Sequence, residues 1–163
     1  MTIYQSIVFN LKINFSEGWV VNNCGEWKNP PQNVERYQAS ENDFPSPQQK
    51  NKYVLYAVKR EPNLLSKQII VDAIWSDKKL DIESEIKEQE NEILRNITNE
   101  KVLGKEDCQS LVRQFKNDKN CFYQQSFLFY SLDNIWLCIT VAGDTEKAFE
   151  SAKEELMNMS TLK

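Results

Sequence analysis

The chain of 163 residues contains no histidine. That removes the usual general base, a common zinc ligand and the side chain that titrates near neutral pH, so serine and cysteine hydrolases that rely on a His base are excluded. With four glycines and five prolines, the chain is neither fibrous nor compositionally disordered. No apolar run approaches the roughly 18 residues of a membrane span. Basic excess is missing too: 20 Lys plus Arg face 24 Asp plus Glu, a net charge of −4 and a pI near 5.0. This is the wrong sign for a nucleic-acid or anionic-membrane binder, and no basic patch is segregated along the chain. The start, Met1-Thr2-Ile3-Tyr4-Gln5, has neither a basic n-region nor an apolar h-region. As written the chain reads as cytoplasmic; one from which an export signal had been cut would look the same and be periplasmic.

Phosphate loops, dinucleotide fingerprints, nucleophile elbows and calcium loops of the D-x-D-x-D-G kind are likewise missing. The expectation is a protein that is not an enzyme and carries no cofactor or metal. Cys24, Cys108, Cys121 and Cys138 never fall in C-x-x-C spacing. Tight turns at Asn117 to Asn120 and at Leu132 to Ile135 would place Cys108 and Cys138 on opposite sides of Phe129, two strand spacings or about 9 to 10 Å apart, too far for a disulfide. Reduced, mostly buried thiols are preferred to a Cys24–Cys121 bridge or a four-thiolate zinc site.

At 163 residues, 40% of them hydrophobic, the chain is expected to form a single domain, residues 1–163, around a packed core. The first segment alternates, with Ile3, Ile7, Phe9, Leu11, Ile13 and Phe15 on one side, as a half-buried strand does. It stops at Ser16-Glu17-Gly18-Trp19, where Gly18 allows a positive φ and Trp19 can fold back as a core plug. Residues 22–51 change character: six Asn, four Pro and four Gln fill 14 of 30 positions. They read as a long surface loop, pinned in part by Trp27, Tyr37 and Phe44.

Tyr53 to Arg60 and Gln68 to Trp75 read as neighbouring antiparallel strands. Leu80, Ile82, Ile86, Ile93, Leu94 and Ile97 recur at three- and four-residue spacing and predict an amphipathic helix capped by Asp81. Further strands follow, Glu100 to Leu103, Cys108 to Phe115, Cys121 to Tyr130 and Ile135 to Ala142. The last two are apolar on both parities and therefore central. Asp144 caps a terminal helix buried through Ala148, Phe149, Ala152, Leu156 and Met159. The expected class is α+β, a mostly antiparallel central sheet flanked by two main helices as an α/β/α sandwich.

This order, with Phe15-Ser16-Glu17-Gly18-Trp19 closing the first strand and a long meander from Val102 to Val141 before a C-terminal helix, resembles the PsbP-like fold shared with the Ran-binding Mog family. The resemblance implies a non-enzymatic binding module, since such folds include bacterial immunity proteins and adaptor chaperones of type VI secretion effectors. On that basis the chain is expected to be an immunity protein that occludes a cognate toxin. The alternatives are an adaptor chaperone that shields an effector's apolar segment, and a structural subunit of a larger complex. In each case the partner is another protein.

Two features are candidate contact surfaces. Residues 77–92 hold seven acids against three bases, a local net of −4, and Glu83, Glu85, Glu88 and Glu92 are the candidates on that strip for docking a basic partner. A solvated helix face is the plainer explanation. Trp27, Tyr37 and Phe44 are of the residue types enriched at protein-binding hot spots, with pinning of the loop as the plainer role.

Overall fold

The computed structural model describes residues 2–6, 9–23, 26–28, 35–39, 47–48, 50–60, 66–117 and 120–162. The described strands form two sheets. The smaller takes β1 (Thr2–Ser6), β2 (Leu11–Phe15), β4 (Glu26–Lys28), β5 (Glu35–Ala39) and β12 (Ser160–Leu162) in the order β12-β2-β1-β5-β4. The larger takes β3 (Trp19–Asn23), β6 (Asn51–Arg60), β7 (Ser66–Trp75), β8 (Glu92–Val102), β9 (Lys105–Asn117), β10 (Asn120–Leu132) and β11 (Ile135–Gly143) in the order β3-β6-β7-β11-β10-β9-β8. Every pairing in this seven-stranded sheet is antiparallel; in the smaller one β1 and β5 run parallel. Among the described residues, helix is confined to one turn, α1 (Ile82–Glu85), and to α2 (Glu146–Met159).

The expected α/β/α sandwich is therefore corrected: the fold is mostly β, with no pair of flanking helices. The predicted helix through Leu80 to Ile97 is what fails. Its first half supplies buried apolar residues, Ile82 fully and Leu80 and Ile86 in part. Its second half is β8, in which Ile93, Leu94 and Ile97 are exposed. Asn96, Thr98 and Asn99 are weak helix formers. Pairing with β9 satisfies a ladder of backbone groups that one more helical turn would leave to water.

The opening segment differs as well. The alternation from Ile3 to Phe15 is not one strand but the antiparallel pair β1–β2, turned at Phe9-Asn10 with Asn10 at φ 55°. Tyr4 rather than Ile3 is fully buried in β1, because the turn inverts the parity. Strands β4 and β5 lie within the segment 22–51 that composition marks as a loop.

The core lies between the sheets. Leu55, Ile69, Val71, Phe127, Leu137 and Ile139 from one face of the large sheet meet Tyr4, Leu11, Ile13 and Phe15 of the small one, with Ala152 and Leu156 of α2. Trp19 folds back as expected, 6% exposed, its ring 5.7 Å from that of Phe15. All nine residues of β11 are buried, consistent with its place at the middle of the sheet. Thr145, not Asp144, caps α2 by accepting from Ala148 N; Asp144 instead accepts from Ser66 N and Ser66 Oγ. Lys59 and Lys67 both reach Glu155, at 3.0 and 3.2 Å, and tie α2 to β6 and β7.

Candidate functional site

The opposite face of the large sheet is covered by residues 76–91, a strap containing α1. Beneath it lies a smaller apolar cluster of Ile74, Ile82, Leu111, Leu128, Trp136 and Cys138. Polar clamps hold the strap. The Gln109 amide donates to Leu80 O (2.8 Å) and accepts from Ile82 N (2.9 Å), imitating a strand pairing. Arg95 donates to Glu83 O and Ile86 O while pairing with Glu92 at 3.2 Å.

The strap leaves one end of this face open, and the reason is in the strand registers. The β9–β10 ladder ends at Gln109↔Leu128, yet β9 continues back to Lys105 paired with β8, and β10 continues to Leu132 paired with β11. Each of the two facing strands carries one extra residue there. On β9, Glu100↔Cys108 is followed by Val102↔Lys105, with Asp107 in the left-handed region at φ 50°. On β10, Tyr130↔Trp136 is followed by Leu132↔Ile135, which leaves Ser131 as the extra residue. A bulge bends and twists its strand, so two bulges on facing strands splay the hairpins into a fork. Each hairpin closes on two left-handed residues, Leu103-Gly104 and Asp133-Asn134.

On the strap side the fork opens into a cleft of about 740 Å³, within the range of sites that enclose organic ligands. Its floor is Leu128 and the edge-on ring pair Tyr130–Trp136, 5.6 Å between centroids; its rim carries Lys79, Asp81, Lys105, Glu106 and Asp107. On the other face a recess of about 50 Å³ reaches the same fork between Lys105 and Phe129. Among the described residues, the backbone of β9 before Gln109 and of β10 after Leu128 has no strand partner on the fork side.

The bulge at Ser131 also moves Cys138. Uninterrupted ladders would set Cys108 and Cys138 on either side of Phe129; the bulge places Cys138 opposite Leu128 and so on the other face of the sheet. Both thiols are free and buried. Burial pushes Cys138 up to about 12 and raises Cys108 as well, so neither is held as a thiolate. Asp72, opposite Cys138 on β7, is raised to about 6 by burial. Cys24 and the side chain of Cys121 lie outside the described residues. Among those described, no group of three Cys, Asp or Glu converges as a metal ion would require.

The acidic candidates separate. Glu83, Glu85 and Glu88 are exposed on the strap. Glu92 is not part of that surface: its side chain is 5% exposed and lies between Arg95 (3.2 Å) and Arg113 (3.9 Å). Trp27 and Tyr37 are paired across β4 and β5; their side chains, and Phe44 altogether, fall outside the described residues. Sequence reading missed the fork. Its only local signal is Asp107, an Asp that adopts the left-handed region three positions after the turn glycine Gly104.

No family model and no curated protein matches the chain. Among solved structures, it is similar to the crystal structure of LpqN, involved in cell envelope biogenesis of Mycobacterium tuberculosis, with a TM-score of 0.52 and 10% sequence identity over 93% of this chain and 82% of that one. At that identity the likeness is one of fold. Among the described residues, no helix is long and apolar enough to cross a membrane.

Proposed function

We propose that this chain is a non-enzymatic protein-binding module that takes an extended, apolar segment of another protein into the fork between β9 and β10, in the manner of an adaptor chaperone. The observation that carries this reading is the pair of facing bulges, which leaves backbone on both arms without a strand partner over an apolar floor of Leu128, Tyr130 and Trp136. An extended peptide uses such a place well, because its own backbone completes the ladder while one side chain fills the floor. The absence of histidine and the buried, protonated state of Cys108 and Cys138 favour binding over catalysis.

A second reading, occlusion of a toxin by an immunity protein, is favoured by the strap. Asp77, Asp81, Glu83, Glu85, Glu88 and Glu90 are all exposed there, against three lysines. The two readings differ in salt dependence, since a charge-steered interface is screened and an apolar one is not. The test is affinity capture from the native host, followed by titration of the captured partner against the native protein and Y130E. The fork reading expects affinity to hold between low and high salt and to fall at least tenfold in Y130E, whose ring is 49% exposed at the cleft. Affinity indifferent to Y130E but lost at high salt would overturn it in favour of the strap.

A further inference from the structure

Strand β8 ends the seven-stranded sheet, and among the described residues its only strand partner is β9. It is 11 residues long, with Ile93 54%, Leu94 47% and Ile97 45% exposed. A long edge strand with apolar side chains is a template for another strand, and natural sheets normally blunt such edges with charge, proline or a cover. Here the exposed charge lies toward the ends, while Arg95 within the strand is turned to Glu92 and the strap. At the start of β8, Glu88 shares a shallow depression with Ile93 and Leu94, and Glu90 is exposed beside it. At the far end stands Lys101, 63% exposed and in a solvent-facing pair with Glu106.

We infer that β8 is the surface through which two copies of this chain pair, edge to edge and antiparallel, about a twofold axis at Ile97. A strand with Glu88 and Glu90 before one end, Ile97 at its centre and Lys101 at the other end is charge-complementary to itself only when reversed. Centred on Ile97, that arrangement sets Ile97 against itself, Asn96 against Thr98 and Leu94 against Glu100, with no like charges opposed. It also brings Lys101 of each copy to the Glu88–Glu90 end of the other, twice. The symmetry is the isologous kind that closes a dimer rather than building a fibre. The two sheets become one of fourteen strands, and both β8 edges disappear. The fork lies on the other side of β9 and stays open in such a dimer, so this inference stands apart from the proposed partner site.

Sedimentation of the native protein at about 100 µM, a concentration suited to the micromolar affinity of a small interface, is expected to give the dimer mass. The I97K variant is expected to give the monomer mass with an unchanged circular dichroism spectrum, since Ile97 is already exposed in one copy. K101E is expected to weaken the dimer at least fivefold, and E88K/E90K in the same chain to restore it. Under oxidation I97C is expected to link two copies. N99C is not, because its two copies are separated by four residues along the strands, about 13 Å; the native protein serves as the blank for the native thiols. A native protein that is monomeric at this concentration, or an I97K variant that still dimerises, would overturn the inference.

Discussion

On one face of the seven-stranded sheet, Phe127, Leu137 and Ile139 disappear beneath the five-stranded sheet and α2; on the other, among the described residues, Leu128, Trp136 and Cys138 have the strap 76–91 above them. The first face is specified chiefly by apolar area; its polar groups are Glu155 with Lys59 and Lys67, where α2 meets the sheet, and the buried Gln125 amide donating to Ser110 and Glu100. The second is specified by polar clamps, Gln109 and Arg95 to strap carbonyls and Arg113 to Gln124. Hydrophobic burial is non-directional and closes a surface completely. Side-chain hydrogen bonds fasten a cover at points and leave gaps between them. The cleft lies on the face built in the second way.

Removing a large side chain from each face should break the comparison most visibly. F127A takes a fully buried ring from the inter-sheet core and is expected to cost about 3 to 5 kcal/mol. I82A removes the strap's one fully buried residue and is expected to cost about 2 kcal/mol, because a strap can settle where two sheets cannot. Urea unfolding measures both, and equal losses would remove the distinction.

Glu92 sharpens the role of the clamps. It is the carboxylate between Arg95 and Arg113, and Nε of both arginines and Nη1 of Arg113 already lack a hydrogen-bond partner. E92Q leaves two buried guanidiniums without a counter-charge and is expected to cost about 3 kcal/mol. It should also raise protease cleavage within 83–90, since Arg95 then loses the partner that orients it toward Glu83 O and Ile86 O. The exposed neighbour change E88Q should alter stability by less than about 0.5 kcal/mol.

The smallest effect is a difference in pH response. For Glu155, burial pushes the carboxyl up, but hydrogen bonds and charge from Lys59 and Lys67 outweigh it and leave it below the ordinary 4.5. That group contributes stability above its unfolded value, lost as pH falls through the lowered folded one. Asp72 is the reverse: raised by burial from 3.8 to about 6, it favours the folded state while protonated, and this contribution is full below 3.8 and lost as pH rises from there through about 6. Stability is expected to peak at about pH 4, between the unfolded values of Asp72 at 3.8 and Glu155 at 4.5, and to decline from there to about 6. D72N should flatten the decline on the alkaline side, and E155Q the decline on the acid side. A D72N profile parallel to that of the native protein would contradict the assignment.

The strands of the meander and the terminal helix were legible because their apolar residues are long runs with turn residues between them. The doubly apolar β11 announced its central position, and Trp19 its fold-back. What was not legible depended on single residues or distant pairing. The turn at Phe9-Asn10 has neither Gly nor Pro, and one left-handed Asn splits what alternation presents as a single strand. The stripe through Leu80 to Ile97 fits a helix by period, yet β9 offers a free edge that only the folded sheet creates. Ser131 looks like any strand residue; as a bulge it moves Cys138 to the other face and opens half of the fork. The surface proposed to bind is thus built from irregularities, which periodicity cannot report.

Residue-resolved hydrogen exchange of the backbone amides of Lys105–Asp107 and Phe129–Ser131, with and without the captured partner, tests the fork most directly. Fast exchange in the free protein, slowed at least tenfold on binding while β11 stays protected throughout, is the predicted result. Amides already protected in the free protein, or unmoved by a bound partner, would contradict it.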